Sequence, residues 1–188
     1  MSNKVDHRVR YTKFVIKESF INLLEVKDIS KITIKEICQH AKINRATFYN
    51  HYKDPFDLMK QIQEELLENV ASYLDLEHAK DISQVSFINI ERIFEYIKEN
   101  ARICKILLGE GGDLNFQKQV FQLVYEKNLI DLTKFASLGK DDADYIYSFV
   151  LTGAVGIIQK WLDEDLRKSP AKMTELILKL TTQFAYSS

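Results

Sequence analysis

Basic side chains gather at one end of this 188-residue sequence, where Lys4, His7, Arg8, Arg10, Lys13 and Lys17 follow one another closely. Residues 1 to 60 carry 12 Lys/Arg against 7 Asp/Glu, and residues 61 to 188 carry 14 against 20, so a net charge of −1 conceals a head at +5 and a body at −6. Clustered cations suit a polyanion, because each phosphate neutralised releases condensed counterions; a solvated helix face would display the same charges. Residues able to catalyse are not arranged to do so. No Ser-His-Asp or paired-carboxylate pattern stands out, and His40, His51 and His78 have no partner at metal-ligand spacing. Gly109-Glu110-Gly111-Gly112 lacks the Lys-Ser/Thr of a phosphate loop and the strand of a dinucleotide motif, so it reads as a helix breaker. Cys38 and Cys104 stand 66 positions apart without Cys-x-x-Cys spacing and with no secretory segment ahead of them. They read as packing residues in a reduced, cytoplasmic compartment. The expectation is a protein that is not an enzyme and carries no metal or cofactor.

The elements that hold these residues are helical. With 46% apolar residues, six Gly and two Pro, the chain has a core to bury and few turn residues to punctuate strands. Its longest uncharged run, Tyr145 to Gln159, is 15 residues, whereas a bilayer crossing takes about 20, so no membrane partner is expected. Over 8 to 26, Ile16, Phe20, Leu23 and Leu24 recur at helical spacing. At Thr33 a capping box with Glu36, flanked by Ile32 and Ile37, opens a second helix of about two turns. Asn44 caps a third over 45 to 52, anchored by Ile43 and Phe48, with Arg45, Ala46, Tyr49 and Asn50 on its other face. Asp54-Pro55, with Asp57 in the first turn, starts a fourth that runs to about Leu76. Longer helices follow at about 83 to 99, 101 to 108, 113 to 137, 141 to 164 and 170 to 186, the last opened by Ser169-Pro170. The fold class is all-α, about nine helices: a three-helix helix-turn-helix head over 1 to 53 and a larger helical-bundle body over 54 to 188.

Two short helices joined by a tight turn, with the polar face of the second left free, can place that helix in a DNA major groove. The run Thr33-Ile34-Lys35-Glu36-Ile37-Cys38-Gln39-His40-Ala41-Lys42-Ile43-Asn44-Arg45-Ala46-Thr47-Phe48-Tyr49-Asn50-His51-Tyr52 resembles the DNA-binding signature of the TetR family of bacterial regulators, and the likeness covers about residues 8 to 60. Carried over by position, the resemblance implies that Arg45, Ala46 and Asn50 face base edges. Thr33, Lys35, Tyr49, His51 and Lys53 would grip phosphates, and Asn44 and Thr47 complete the DNA-binding set. Basic residues of the amino-terminal arm would lie along the backbone or minor groove. The residue types suit those roles, since Arg pairs bidentately with guanine, Asn with adenine, and Ala meets a thymine methyl. Two positions depart from the family pattern. Lys42 replaces the usual turn glycine, which asks a residue with a Cβ to adopt positive φ. Pro55 replaces a lysine that often touches a phosphate, a contact that Lys53 would take over.

In the body, Tyr145 to Leu162 is apolar nearly all round, and Gly153 and Gly156 sit mid-helix, as expected if another backbone comes close. A homodimer interface of Phe149, Gly153, Gly156, Ile157, Trp161, Leu176 and Leu180 accounts for this; a buried core helix in a monomer is the alternative. The order Gly-x-x-Gly-Ile-Ile-x-x-Trp, followed by Ser169-Pro170-x-x-Met173, is similar to the carboxy-terminal domain of a TetR subgroup that includes dihydroxyacetone-kinase operon regulators. The resemblance implies a dimer on a near-palindromic double-stranded operator, usually a repressor. A small apolar or aromatic effector would be lined by Phe87, Tyr96, Cys104, Phe116, Phe121, Tyr125 and Tyr147, residues that would serve equally as ordinary core. The rival expectation is a coactivator of the same fold that binds another regulator.

Overall fold

Helix starts are written into this sequence as side-chain caps, and the computed structural model, which describes residues 2–74, 82–109, 112–126 and 143–186, begins a helix after each of Thr33, Asn44, Asp54 and Ser169. The elements are α1 (Ser2–Leu24), a short 3-10 turn (Ile29–Lys31), α2 (Ile34–Ala41), α3 (Arg45–Tyr49), α4 (Pro55–Leu74), α5 (Ile82–Glu99), α6 (Ala101–Leu108), α7 (Leu114–Glu126), α8 (Ala143–Asp163) and α9 (Pro170–Tyr186). Among the described residues there is no strand, and no helix is long and apolar enough to cross a membrane. The stretch expected to extend the seventh helix to residue 137 lies, beyond Glu126, outside the described residues. Two expectations change. The amino-terminal segment is helical from Ser2 rather than an arm preceding a helix at residue 8, and the third helix stops at Tyr49 rather than Tyr52.

The chain divides into two compact units, Met1–Leu66 and Leu67–Ser188, with the division inside α4. In the first, Ile16 and Phe20 of α1, Ile37 of α2, Phe48 of α3 and Leu58 of α4 are fully buried, with Ile62 close to it. Four helices each contribute one apolar stripe to that small core, which is why two-turn helices that are marginal alone persist here. Lys17 of α1 reaches Glu65 of α4 at 3.3 Å along its edge.

In the second unit α5 packs on α9 and α6 on α8. Trp161 is 2% exposed, meets Phe94 edge to face at a ring separation of 5.5 Å, and donates its Nε1–H to the Lys168 carbonyl at 2.9 Å. Burying an indole is favourable when its one polar atom finds such a partner. The Gln159 amide donates to the Leu108 carbonyl at the carboxy end of α6, satisfying an acceptor that the helix leaves unpaired. Past that end the Asp113 N–H bonds the Leu107 carbonyl at 3.0 Å. A Cβ at Gly112 would fall against that carbonyl, so this position of the expected helix breaker takes only glycine.

Candidate nucleic-acid interface

The helix-turn-helix is assembled from local caps. Thr33 accepts from the Glu36 N–H, and the Glu36 carboxylate accepts in return from the Thr33 N–H at 3.0 Å and the Thr33 hydroxyl at 2.8 Å. Lys27 Nζ clasps the same carboxylate at 2.6 Å, a contact nine residues distant that no local pattern announced. At the other end of α2, Lys42 stands at φ 54°, ψ 43°, and its N–H closes on Cys38 and Gln39 carbonyls. This is the left-handed turn expected of the glycine position, and it holds a residue with a Cβ at modest steric cost. Asn44 Oδ1 then accepts from the Thr47 N–H at 2.7 Å and the Thr47 hydroxyl at 3.0 Å to start α3. Below it Asp57 accepts from the Lys53 N–H at 2.9 Å while Asp54 accepts from the Asp57 N–H at 2.8 Å, with Pro55 buried at the first helical position.

Phe48 is the peg of α3. It is fully buried and packs its ring against Tyr52 at 5.7 Å and edge to face with Tyr49 at 6.0 Å. Burial pushes the Tyr52 hydroxyl up to about 12, and the carboxylates of Glu65 and Asp57 push in the same direction. With Phe48 turned inward, Arg45, Ala46, Tyr49 and Asn50 are all exposed. Lys35 and Lys53 are exposed as well, Thr33 is exposed at the start of α2, and His51 and Thr47 are half-buried. The ten expected DNA-facing residues thus fall on two short helices and the turns at their ends. Three of them also do local work with their side chains: the acceptor of Asn44 caps its own helix, the Thr47 hydroxyl donates to that acceptor, and the Thr33 hydroxyl serves the capping box.

Carboxylates hold these caps together, so the head should respond to acid. Lys27, then the Thr33 N–H and hydroxyl, hold Glu36 down at about 2, against an ordinary value of 4.5. Asp57 is lowered by the Lys53 N–H, and Asp28 by the Ser30 hydroxyl and N–H. A depressed folded-state value means that the ionised form stabilises the fold. The contribution is complete above the unfolded value and lost as pH falls through the folded one. The thermal midpoint of the head is therefore expected to drop on acidification from about pH 5 towards pH 2. Glu36→Gln should lower the midpoint at neutral pH and flatten the acid limb, read by circular dichroism; an unchanged acid limb would remove Glu36 from this role.

In the body, Cys104 and Phe116 are buried, Phe87 and Tyr96 half-buried, and Tyr96 meets Tyr73 edge-on at 5.9 Å. The side chains of Phe121, Tyr125 and Tyr147 lie outside the described residues. Both cysteines are buried and neither is in a disulfide, and burial raises the Cys38 thiol. No group of His, Cys, Asp or Glu among the described residues is placed to hold a metal. Among the described residues an apolar groove of about 200 Å³ opens between α8 and α9, lined by Phe149, Val150, Gly153, Ala154, Ile157, Ile177 and Leu180. Nothing lies within 4 Å of where a Cβ would stand at Gly153 or Gly156. Four of the expected interface residues, Phe149, Gly153, Ile157 and Leu180, line this groove. Gly156 is exposed nearby on α8, and Leu176 is half-buried outside the lining. Trp161 is corrected: it points into its own unit against Phe94, because the Lys168 carbonyl offers its N–H a partner there. Val150, Ala154 and Ile177 line the groove as well, and their helical spacing from Gly153, Ile157 and Leu180 is the signal that could have added them.

A capped helix-turn-helix carrying an exposed Arg-Ala-x-x-Tyr-Asn face, joined to a helical body with an open apolar groove, defines a DNA-binding regulator class. Comparison with known proteins places the chain within it. Residues 84–183 match the TetR-type family described as transcriptional regulator C-terminal region, and the chain belongs to the TetR family of transcriptional regulators. It is 25% identical over 175 residues to the uncharacterized HTH-type transcriptional regulator YxbF of Bacillus subtilis strain 168, covering 89% of this chain and 44% of that protein. It is 26% identical over 135 residues to the HTH-type dhaKLM operon transcriptional activator DhaS of Lactococcus lactis strain IL1403, covering 70% of this chain and 65% of that one. The chain thus spans less than two thirds of the length of either relative. In fold it is similar to a TetR transcriptional regulator from Streptococcus agalactiae 2603V, with a TM-score of 0.64 at 21% identity over 98% of this chain and 99% of that one.

Proposed function

We propose that this TetR-family protein acts as a homodimer on a near-palindromic operator and represses the promoter that the operator overlaps. One observation carries the reading: Phe48, fully buried, pins a short helix so that Arg45, Ala46, Tyr49 and Asn50 stand together in solvent. Arg45 and Asn50 read guanine and adenine edges, Ala46 lies against a thymine methyl, and Thr33, Lys35, Tyr49, His51 and Lys53 set the register on phosphates. The α8–α9 groove supports pairing with a second copy, which would put two recognition helices about 34 Å apart, one turn of the duplex. A small apolar or aromatic effector in the body, lined by residues such as Tyr96 and Phe116, would shift the population to dimers whose heads no longer match that spacing.

A second reading draws on the relative named as an activator, DhaS: a protein of this fold acting through another regulator. The two are separated by duplex selection from a random pool with the protein alone. Recovery of paired half-sites about one turn apart is expected; recovery of no sequence would leave the partner-dependent reading standing. In the same assay Lys35→Ala should weaken binding to operator and random DNA alike and reduce the slope of log affinity on log salt by about one. An unchanged slope would take Lys35 off the phosphates.

A further inference from the structure

Among the described residues three that are not glycine hold a positive φ: Lys42, Asp165 and Leu166. Two have a local reason. Aspartate tolerates the left-handed region better than most side chains, and Leu166 is half-buried where its N–H bonds the Trp161 carbonyl at 3.0 Å to close the end of α8. Lys42, at φ 54° between α2 and α3, has neither. Its side chain is exposed and makes no ion pair or hydrogen bond among the described residues, so nothing in the fold favours a lysine over the glycine or asparagine that this backbone prefers.

Backbone strain from which the fold gains nothing points to function, and the surroundings of Lys42 indicate which. No Asp or Glu occurs from Ile37 to Lys53, while Lys42, Arg45 and Lys53 all stand exposed along that stretch. Lys42 precedes Arg45 by three residues, so their Cα atoms are at most about 11 Å apart, and an extended lysine side chain adds about 6 Å of reach. The major groove is about 12 Å wide, so with Arg45 at a base edge the Lys42 ammonium comes within range of the groove wall, where the phosphates lie. We infer that Lys42 is a phosphate contact of this helix-turn-helix, and that its charge is why a lysine occupies a left-handed turn. The role rests on α3 entering the groove as proposed above. Lysine suits it as a point charge on a flexible stem, which needs proximity and no fixed geometry, and it adds affinity without sequence preference.

The test titrates the full chain with the selected operator and with random duplex at several salt concentrations, and records its thermal midpoint. Lys42→Gly removes the charge and relaxes the backbone. It should raise the midpoint by a few degrees and yet weaken binding to both duplexes about tenfold at about 0.05 M salt, with the slope of log affinity on log salt reduced by about one. Because the lost contact is ionic, that deficit should shrink about three- to fourfold by about 0.2 M. Lys42→Asn, which also tolerates the turn, should match it on DNA, and Lys42→Arg should recover the parent's slope. A lysine that served only the fold would not move stability and binding in opposite directions. Equal slopes for the parent and Lys42→Gly overturn the inference, and operator binding by that same parent would leave the proposed function standing. A Lys42→Gly midpoint below the parent's overturns it as well, since lysine would then be supporting the turn. A parent that binds no duplex removes the proposed function itself, and the inference with it.

Discussion

Phe149→Asp is expected to yield a folded protein that sediments as a monomer at micromolar concentration and binds its operator about a hundredfold more weakly than the parent. The side chain is 62% exposed within one chain, so the substitution removes little from the protomer's own core. In a two-fold pairing of α8 and α9 it would place two carboxylates in an apolar groove shared with Gly153, Ile157 and Leu180. Burying unpaired charge costs several kcal/mol, enough to dissociate a micromolar complex. The loss of DNA affinity follows without touching the head. Once the two heads are separate molecules, the second half-site no longer benefits from the high effective concentration that tethering supplies. Phe149→Leu should retain pairing. A parent that is monomeric at these concentrations, or a Phe149→Asp variant that still pairs, would end the dimer reading while leaving the recognition face unaffected.

Arg45→Ala should cost about 1 to 3 kcal/mol on the selected operator, roughly 5- to 150-fold, and little on random duplex. The exposed guanidinium lies one residue from Ala46 and one helical turn and a half from Asn50 along the same short segment, held there by Phe48 and the Asn44 cap. Truncation leaves both anchors intact, so the head should melt as before. Affinity measured on operators substituted one base pair at a time should show discrimination relaxed at a single position of each half-site. If binding falls equally on operator and random DNA, Arg45 holds a phosphate and the base-edge assignment fails. Asn50→Ala should give the same pattern at a different position.

Much of this was legible because caps are local. The Thr33–Glu36 box, the Asn44 cap, the Asp54-Pro55 start and the Ser169-Pro170 start each lie within four residues of sequence, and the helices begin where they are placed. The left-handed turn at Lys42 was legible through the likeness to the TetR signature, in which a glycine holds that place, and the N–H of Lys42 closes the helix end there although the residue has a Cβ. The recognition face followed from residue type as much as from period: Phe48 is the apolar anchor of the segment, while Arg45, three positions back, stays in solvent because it is charged. Helix ends without a side-chain cap were harder. The helix before Arg8 has no cap to mark its start, and α3 ends at Tyr49 because the His51 and Tyr52 N–H groups both turn back to the Phe48 carbonyl.

What the residues alone determined is the all-helical class, the starts of the short helices and the identity of the face they turn outward, because each depends on interactions within one or two turns. Tertiary structure decided which apolar side chains are spent inside the unit and which remain available. An all-round apolar helix puts Trp161 and Phe149 alike at an expected interface, yet Trp161 is consumed by Phe94 and the Lys168 carbonyl, while Phe149 on the same helix is 62% exposed. Helical periodicity says which residues share a face, but only the packing of α6 and of Phe94 on α8 says which face is already covered.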